Sequence, residues 1–410
     1  MARLMKLDVY LFEHLVGVLT QNASGELGFS YTASWLKNER AVALSQSLPL
    51  QTESFLNPQC HGFFGGILPE EAKRARIAKN LGISKKNDFA MLKEIGGECA
   101  GAVSFMLEGQ PLATDTPDYR ALSEEGLAEV LRDLPKRPLL AGEEGIRLSL
   151  AGAQDKITVH YSKDGFAIPL NGAPSTHILK PAIEHFEDTV LNEAVCMKLA
   201  KAIGLSVADV EILDIEDMKV LAVKRYDRVN VEGVIQRLHQ EDFCQALGIV
   251  SEMKYQNEGG VSLEQAFGLL RSVSALPALD LHHLLDAVIF NFLIGNNDAH
   301  GKNFSLLYSA KQIRLAPLYD LLCTVYYPEL ASKMAMKIGG KYKPKEVYAR
   351  HLEKFSDEAG LSKPIVLKRV LIIANKTLSC LSNVEADISA SSKLTDFIRK
   401  RIEGVKARIT

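Results

Sequence analysis

The chain has 410 residues, too many for one ordinary domain, so two or three are expected. Hydrophobic residues make up 47% and charged residues 24%, the balance of a soluble globular protein. A formal net charge of −2 excludes a whole-chain basic field for nucleic acid, leaving DNA binding to a local patch or a partner.

The start, "MARLMKLDVYLFEH", carries an early acid and no small-residue cleavage site, and is read as free of a signal peptide. Residues 6–36 predict two strand-like runs around the turn cluster Gln21-Asn22-Ala23-Ser24-Gly25. Residues 69–83 open on Pro and acids and stop at Gly82, a helix pattern; 88–97 predict a shorter helix with a glycine stop. The polar, proline-bearing stretch 107–120 is the first candidate boundary. Residues 123–135 predict a helix with a Ser start and a Pro stop. Over 147–170, strand-like alternation is broken by Ala151-Gly152-Ala153, with a turn at Lys163-Asp164-Gly165.

"THILKPA" predicts a short strand, 187–204 an amphipathic helix closed by Gly204, and "VADVEIL" and "KVLAVKRYD" two more strands. Beyond about residue 238, three- and four-residue spacing predicts helices in "QEDFCQALG", "SLEQAFGLLRSV", "LDLHHLLDAVIFNFLIG", "KPIVLKRVLIIANKTLSCL" and "TDFIRKRIEGVKARI". One β insertion, "NFSLLY" and "QIRLAPLYD", interrupts them. No apolar run approaches the roughly 18 residues of a membrane span. The six Cys are scattered, without C-x-x-C pairs or His at metal spacing, and are expected to be reduced, mostly buried thiols of a cytosolic protein. A mixed β/α half thus precedes a helical half, and a cleft between two such lobes suits a ligand.

The chemistry concentrates in "FLIGNNDAHGKNFSLLY", where a polar turn separates two apolar segments. Asp298 and Asn303 stand in the spacing D-x-x-x-x-N. Phosphoryl transfer from a nucleotide needs a carboxylate that takes the acceptor hydroxyl proton and an amide oxygen that ligates a hard cation. Alone the spacing is weak, since a chain this long yields on the order of one match by chance, and a capping Asp before a turn Asn is the plain alternative. Asp320 lies 22 residues after Asp298 across a hairpin that returns the chain, so it is a second candidate metal ligand; a helix N-cap is its plain reading. "SLAGAQDK" (149–156), read as lying between strands, offers small residues for a phosphate cradle, with a β-turn as the alternative. Lys180 ends a strand and Glu193 follows on a helix, a candidate phosphate-binding lysine and its ion partner, or else a solvated strand end and an exposed helix face. His300 is read as holding Asp298 in place rather than moving protons. Lys302 either balances charge on the transferred phosphoryl or is a solvated loop lysine. The order of glycine loop, strand Lys, helix Glu, linker, D-x-x-x-x-N and Asp is that of a kinase.

The blocks "SLAGAQDK", "THILKP", "LNEAVCMKLAKAIGL", "LAVKRYDR", "RLHQEDFCQALG", "GNNDAHGKNFS" and "PLYDLL", with "VGVLTQNASGELGFSYTASWL" near the start, resemble the signature blocks of the HipA family, the serine/threonine kinase toxins of bacterial HipBA toxin–antitoxin systems. The resemblance runs from about residue 7 to past 330. It implies an α+β, two-lobe protein-kinase-like fold: an N-terminal β-rich module (1–106), a kinase N-lobe with the phosphate loop (107–235) and a helical C-lobe with the catalytic loop (236–410). It implies ATP and Mg²⁺ as cofactors. Asp298 becomes the catalytic base; Asn303 and Asp320 hold metal; Ala151, Gly152, Ala153, Gln154, Asp155 and Lys156 form the phosphate loop. Lys180 binds phosphates, and Lys224, Arg225 and Tyr226 meet adenine. His300 and Lys302 flank the nucleotide.

The resemblance further implies a regulatory autophosphorylated serine, here Ser149, whose modification pulls the loop from the site. It implies a dimeric DNA-binding HipB-like antitoxin, operator DNA reached mainly through it, and growth arrest by phosphorylation of a translation-related protein such as an aminoacyl-tRNA synthetase. The expected setting is cytoplasmic, with no membrane. The chain departs from the family pattern at Lys224, where many relatives carry an acid but the position meets adenine mostly by backbone, and at Asn297, where the block often reads Asn-Thr-Asp and every charge-bearing position stays intact. A pseudokinase corepressor is the alternative, and a small-molecule kinase on the same scaffold stays open, because these residues read nucleotide, not acceptor.

Overall fold

The computed structural model describes residues 4–112, 117–309, 312–388 and 391–410. The candidate boundary stretch 107–120 therefore lies partly outside the described residues. Backbone contacts divide the chain into two units: Met1–Pro181 with Leu213–Glu252 and Leu307–Lys311, and Ala182–Ile212 with Met253–Leu306 and Gln312–Thr410.

The first unit begins with an antiparallel sheet in the order Phe55–Leu56, Leu27–Tyr31, His14–Gln21, Met5–Leu11, Val103–Leu107. Residues 6–36 thus hold three strands and the helical turn Ala33–Leu36, not the two runs expected. The missed reversal passes through Phe12 and Glu13, with Phe12 at φ 58°, and has none of the Gly, Asn or Asp that normally advertise such a turn. One sheet face buries Phe29 against Phe64, and Phe64 against Phe105, with ring centroids 5.4 and 5.9 Å apart. Helices Glu71–Leu81, Asp88–Ile95 and Glu124–Asp133 form where expected; Asn87 caps the second and Ser123 the third.

A second antiparallel sheet contains, in order, Met218–Lys224, His177–Pro181, Ile157–Ser162, Gly165–Leu170 and Asp118–Leu122. Lys180 stands opposite Leu221 in its register. Residues 149–156 do not lie between two strands. They precede Ile157–Ser162 as irregular chain, held by isolated parallel bridges. The segment after Lys224 forms short strands Arg228–Val231, Val234–Arg237 and His239–Asp242 before a single helical turn, Phe243–Ala246, so "QEDFCQALG" is only half helical. Four-residue strands leave too little alternation for sequence periodicity to register.

The second unit centres on helix Pro277–Ile294, with Leu263–Val273, Lys363–Asp387 and Ser392–Ile409 against it. The central helix is long and apolar enough to cross a membrane by length and composition, contrary to the sequence expectation, but two-thirds of it is buried in the protein. It also carries Asp280, gripped by both ends of the Arg314 guanidinium at 2.9 Å, and Asp286, paired with Arg369. Those pairs mark it as the core helix of a folded lobe. Helix Thr189–Ala202 is buried around most of its circumference, including Asn192 and Glu193, rather than amphipathic. Helix Ala349–Ala359 was not anticipated. The Cys thiols are all free, five of them buried, as expected.

Candidate active site

The polar turn after the central helix is positioned from its first residue. The helix ends because Gly295 adopts φ 84°, a left-handed conformation costly for any residue with a Cβ. A Cβ there would also meet Val325 Cγ2 at 2.4 Å and Arg401 Nε at 2.6 Å. Amide side chains then organise the turn. Asn291, buried in the last helical turn, accepts from Asn296 Nδ2 at 2.8 Å through its Oδ1. Asn296 Oδ1 accepts the Asp298 N–H at 3.2 Å, and Asn296 Nδ2 also donates to the Asp320 carbonyl at 3.3 Å. One buried amide therefore ties the backbones of both candidate carboxylates.

Asn297 extends the scaffold. Its N–H donates to Thr324 Oγ1 at 2.7 Å, its carbonyl accepts from Ala335 N at 2.7 Å, and its Nδ2 donates to the Ala331 carbonyl at 3.0 Å. The Asp298 side chain is exposed and accepts a hydrogen bond from Tyr255 Oη at 2.8 Å. An exposed carboxylate on a fixed backbone is the geometry wanted of a base that meets an incoming hydroxyl.

His300 is buried. Its N–H donates to the Asp298 carbonyl at 2.8 Å and to Asn303 Oδ1 at 3.1 Å, and its ring meets Tyr255 edge-on at 5.6 Å. It thus ties Asp298 to Asn303. Lys302 is only 7% exposed, so the solvated-lysine reading fails; its carbonyl accepts from Tyr319 Oη at 2.7 Å. Asp320 does not cap a helix. It sits at φ 52° with no helix directly after it, a backbone state that Asp tolerates better than most and that recurs at functional sites. Asn303 and Asp320 offer hard oxygen donors of the kind Mg²⁺ takes, and no cluster of three His, Cys, Asp or Glu gathers at a metal-like site among the described residues. Glu193 is buried, not on an exposed face.

The first unit carries the remaining candidates. Gly152 adopts φ 107°, and a Cβ there would meet Lys156 Nζ at 2.7 Å, so the loop bends as only glycine does comfortably, beside an ammonium group. Ser149 is fully buried; its Oγ donates to the Ile67 carbonyl at 3.0 Å. Asp155 pairs with Lys73. Lys180 is 5% exposed, so it is not a solvated strand end. Lys224 is exposed at the end of its strand. Arg225 turns its side chain inward, to Glu98 at 3.0 Å and Asp227 at 2.7 Å, and its charge is committed there. Burial pushes the Glu98 carboxyl up, but Arg228, Arg237 and Arg225 outweigh it and hold the group below its ordinary range. Tyr226 Oη donates to Gln240 Oε1. Asn291, Asn296, Thr324, Tyr255 and Glu98 were missed from sequence. A polar Asn inside the apolar run "AVIFNFLIG" was a usable signal for the first; Tyr255 and Glu98 carried none.

The HipA N-terminal domain model matches residues 7–106 and the HipA-like C-terminal domain model residues 148–381. Over 388 residues the chain is 47% identical to the putative kinase Y4mE of Sinorhizobium fredii, covering 93% of this chain and 92% of that one. It is 31% identical over 396 residues to the serine/threonine-protein kinase toxin HipA of Shewanella oneidensis, covering 93% and 90%. The Shewanella oneidensis HipA solved with HipB and operator DNA superposes with a TM-score of 0.86 at 29% identity, covering 98% of this chain and 97% of that one. The chain belongs to the HipA family of kinase toxins and is a serine/threonine protein kinase with the two-lobe HipA fold.

Proposed function

We propose that this kinase transfers the γ-phosphoryl group of ATP, with Mg²⁺, to a serine or threonine of a protein needed for translation. The observation that carries the reading is the turn 295–303, in which Asn296 and His300 hold Asp298, Asn303 and the Asp320 backbone in one hydrogen-bonded scaffold. Asp298 takes the acceptor proton as the new oxygen–phosphorus bond forms and the bond to ADP breaks. Asn303 and Asp320 hold the metal, which screens the phosphate charge. Lys180 and residues 151–156 hold the phosphates. Lys302 balances charge on the transferred group, and Lys224, Arg225 and Tyr226 meet adenine, Arg225 through its backbone.

Ser149 is the site of self-phosphorylation. Its burial supports a mechanism in which the loop must leave before modification and cannot return afterwards, since a phosphate does not fit where a hydroxyl touches a carbonyl. In the cytoplasm the kinase is neutralised by a dimeric HipB-like antitoxin, through which it reaches operator DNA and represses its operon; the Shewanella oneidensis HipA, solved in complex with HipB and operator DNA, supports this. An aminoacyl-tRNA synthetase is a candidate acceptor. The three parts 1–106, 107–235 and 236–410 serve as module, N-lobe and C-lobe. A net charge of −2 favours a corepressor contribution that works through the partner; a pseudokinase limited to that role is disfavoured, because no base or metal position is lost.

Intact-mass measurement before and after incubation with ATP–Mg²⁺, with peptide mapping, tests the reading. One added phosphate on Ser149, absent in Asp298→Ala, is expected. No phosphate together with no ATP binding overturns the kinase assignment in favour of the corepressor.

A further inference from the structure

The phosphate loop is fastened to the N-terminal module more than to the sheet it precedes. On one side, Leu148 forms a parallel bridge with Glu98, and Ser149 N donates to the Glu98 carbonyl at 2.9 Å. On the other, Ser149 Oγ donates to the Ile67 carbonyl at 3.0 Å, Gly152 bridges Pro69 in parallel, and Glu70 N reaches the Gly152 carbonyl at 3.5 Å. Asp155 closes the series by pairing with Lys73. A longer, 3.5 Å contact from Gln154 Nε2 to the Pro181 carbonyl ties the loop to the sheet.

Glu98 is itself immobilised. Its Oε1 accepts from Ser175 N at 3.0 Å, Ser175 Oγ at 2.8 Å, Arg225 NH1 at 3.0 Å and Arg228 NH2 at 2.9 Å, and Arg237 lies 2.7 Å from Oε2. Through its side chain Glu98 grips the residues beside Tyr226; through its carbonyl it grips Ser149. An irregular loop such as 149–156 loses roughly 1–2 kcal/mol of backbone entropy per ordered residue, so its folded position needs several anchors.

We propose that residues 67–73 and Glu98 are positioning residues for the nucleotide: they hold the phosphate loop in its cradling form and keep Ser149 out of reach. The N-terminal module thereby sets the balance between ATP binding and self-phosphorylation. This rests on the kinase reading above, with Ser149 as the modified residue. For that step the bond from the γ-phosphorus to ADP breaks, a bond from Ser149 Oγ to phosphorus forms, and the hydroxyl proton passes to the carboxylate base. At zero exposure, with its hydroxyl on Ile67, Ser149 cannot enter the step until the anchors open. Weakening an anchor that touches neither nucleotide nor Ser149 shifts the loop toward the open form. It must therefore weaken ATP binding and speed Ser149 modification together. General destabilisation would depress both.

Full-length Lys73→Gln and Lys73→Arg test this. Calorimetry with ATP–Mg²⁺ in an Asp298→Ala background, where turnover is blocked, is expected to show about two- to fivefold weaker binding for Lys73→Gln, the scale of one partly exposed ion pair. The initial rate of Ser149 phosphorylation at saturating ATP, read by peptide mass in the Asp298 background, is expected to rise by a similar factor. Lys73→Arg is expected to restore both. Loss of both properties, or no change in either, overturns the proposal. So does hydrogen exchange over 148–156 in the unmutated protein as fast as in its exposed loops, a readout that needs no variant to fold. A wild-type protein that never gains phosphate on Ser149 overturns the self-modification reading instead, while the binding arm still decides the anchors.

Discussion

The two loops that carry the candidate chemistry are held in opposite ways. The turn 295–303 is scaffolded mainly by its own neighbours: Asn291, Asn296 and Asn297 supply amides from within seven residues of Asp298, and Thr324 and Tyr319 come from farther along the chain. The phosphate loop takes its anchors from residues 67–73 and 98, half a hundred or more positions earlier. A locally built site is rigid as soon as its segment folds. A site assembled from distant chain is rigid only while the residues that anchor it stay in place.

Four perturbations sharpen this contrast. Glu98→Ala is expected to have the largest effect on folding, a loss of about 3–5 kcal/mol by denaturant titration, because it removes the carboxylate shared by Arg225, Arg228 and Arg237 and leaves the buried Arg225 and Arg228 to share Asp227. Next comes Glu241, a second long-range joint of the same unit, which accepts from Ser45 Oγ at 2.5 Å and from Gln46 N at 3.0 Å. Burial lifts this carboxyl from 4.5 to about 7, against the lowering effect of Ser45, Tyr308 and Gln46. A raised carboxyl stabilises the fold fully below its unfolded value and loses that contribution as pH rises through 7. Glu241→Gln, always neutral, is therefore expected to be more stable than wild type at pH 8 by up to about 2–3 kcal/mol, with the difference vanishing toward pH 4. Equal pH–stability curves for the two proteins would remove Glu241 from the account. The neighbouring His239, held down to about 4 by burial, titrates with the opposite sign in both and cancels in the comparison.

Asn296→Ala acts on the other loop. It removes the tie among Asn291, Asp298 and Asp320, and is expected to cost about 1–3 kcal/mol and to lower kcat about ten- to a hundredfold while leaving ATP affinity within about twofold. A kcat unchanged by this substitution would show that the amide scaffold does not position Asp298. Gln154→Ala, at the loop's link to the sheet, is expected to change stability by less than about 0.5 kcal/mol; a loss above 1 kcal/mol would move the anchorage from the module to the sheet.

The same contrast decides what could be read from sequence. Helices Glu71–Leu81 and Glu124–Asp133 announce themselves through acids, caps and Gly82, and the polar turn 295–303 through its cluster of Gly, Asn and Asp, because the interactions that fix them lie within a few residues. Asp320 was found as a site candidate, but its φ of 52° was not, since nothing in "PLYDLL" requires it. The seat of the phosphate loop left no trace: Ile67 and Glu98 act through backbone carbonyls, which any residue supplies. Lys180 and Lys302 looked like surface lysines by type, and only packing shows them buried.

Asp298 is the residue on which phosphoryl transfer in this chain turns. Single-turnover transfer of labelled γ-phosphoryl from ATP–Mg²⁺ to the protein itself, in wild type and Asp298→Asn, addresses it most directly, with ATP binding measured in parallel. Labelled wild type, a rate lower by about 10²–10⁴-fold in Asp298→Asn, and ATP affinity within about twofold are expected. Transfer at an undiminished rate in Asp298→Asn would contradict that role.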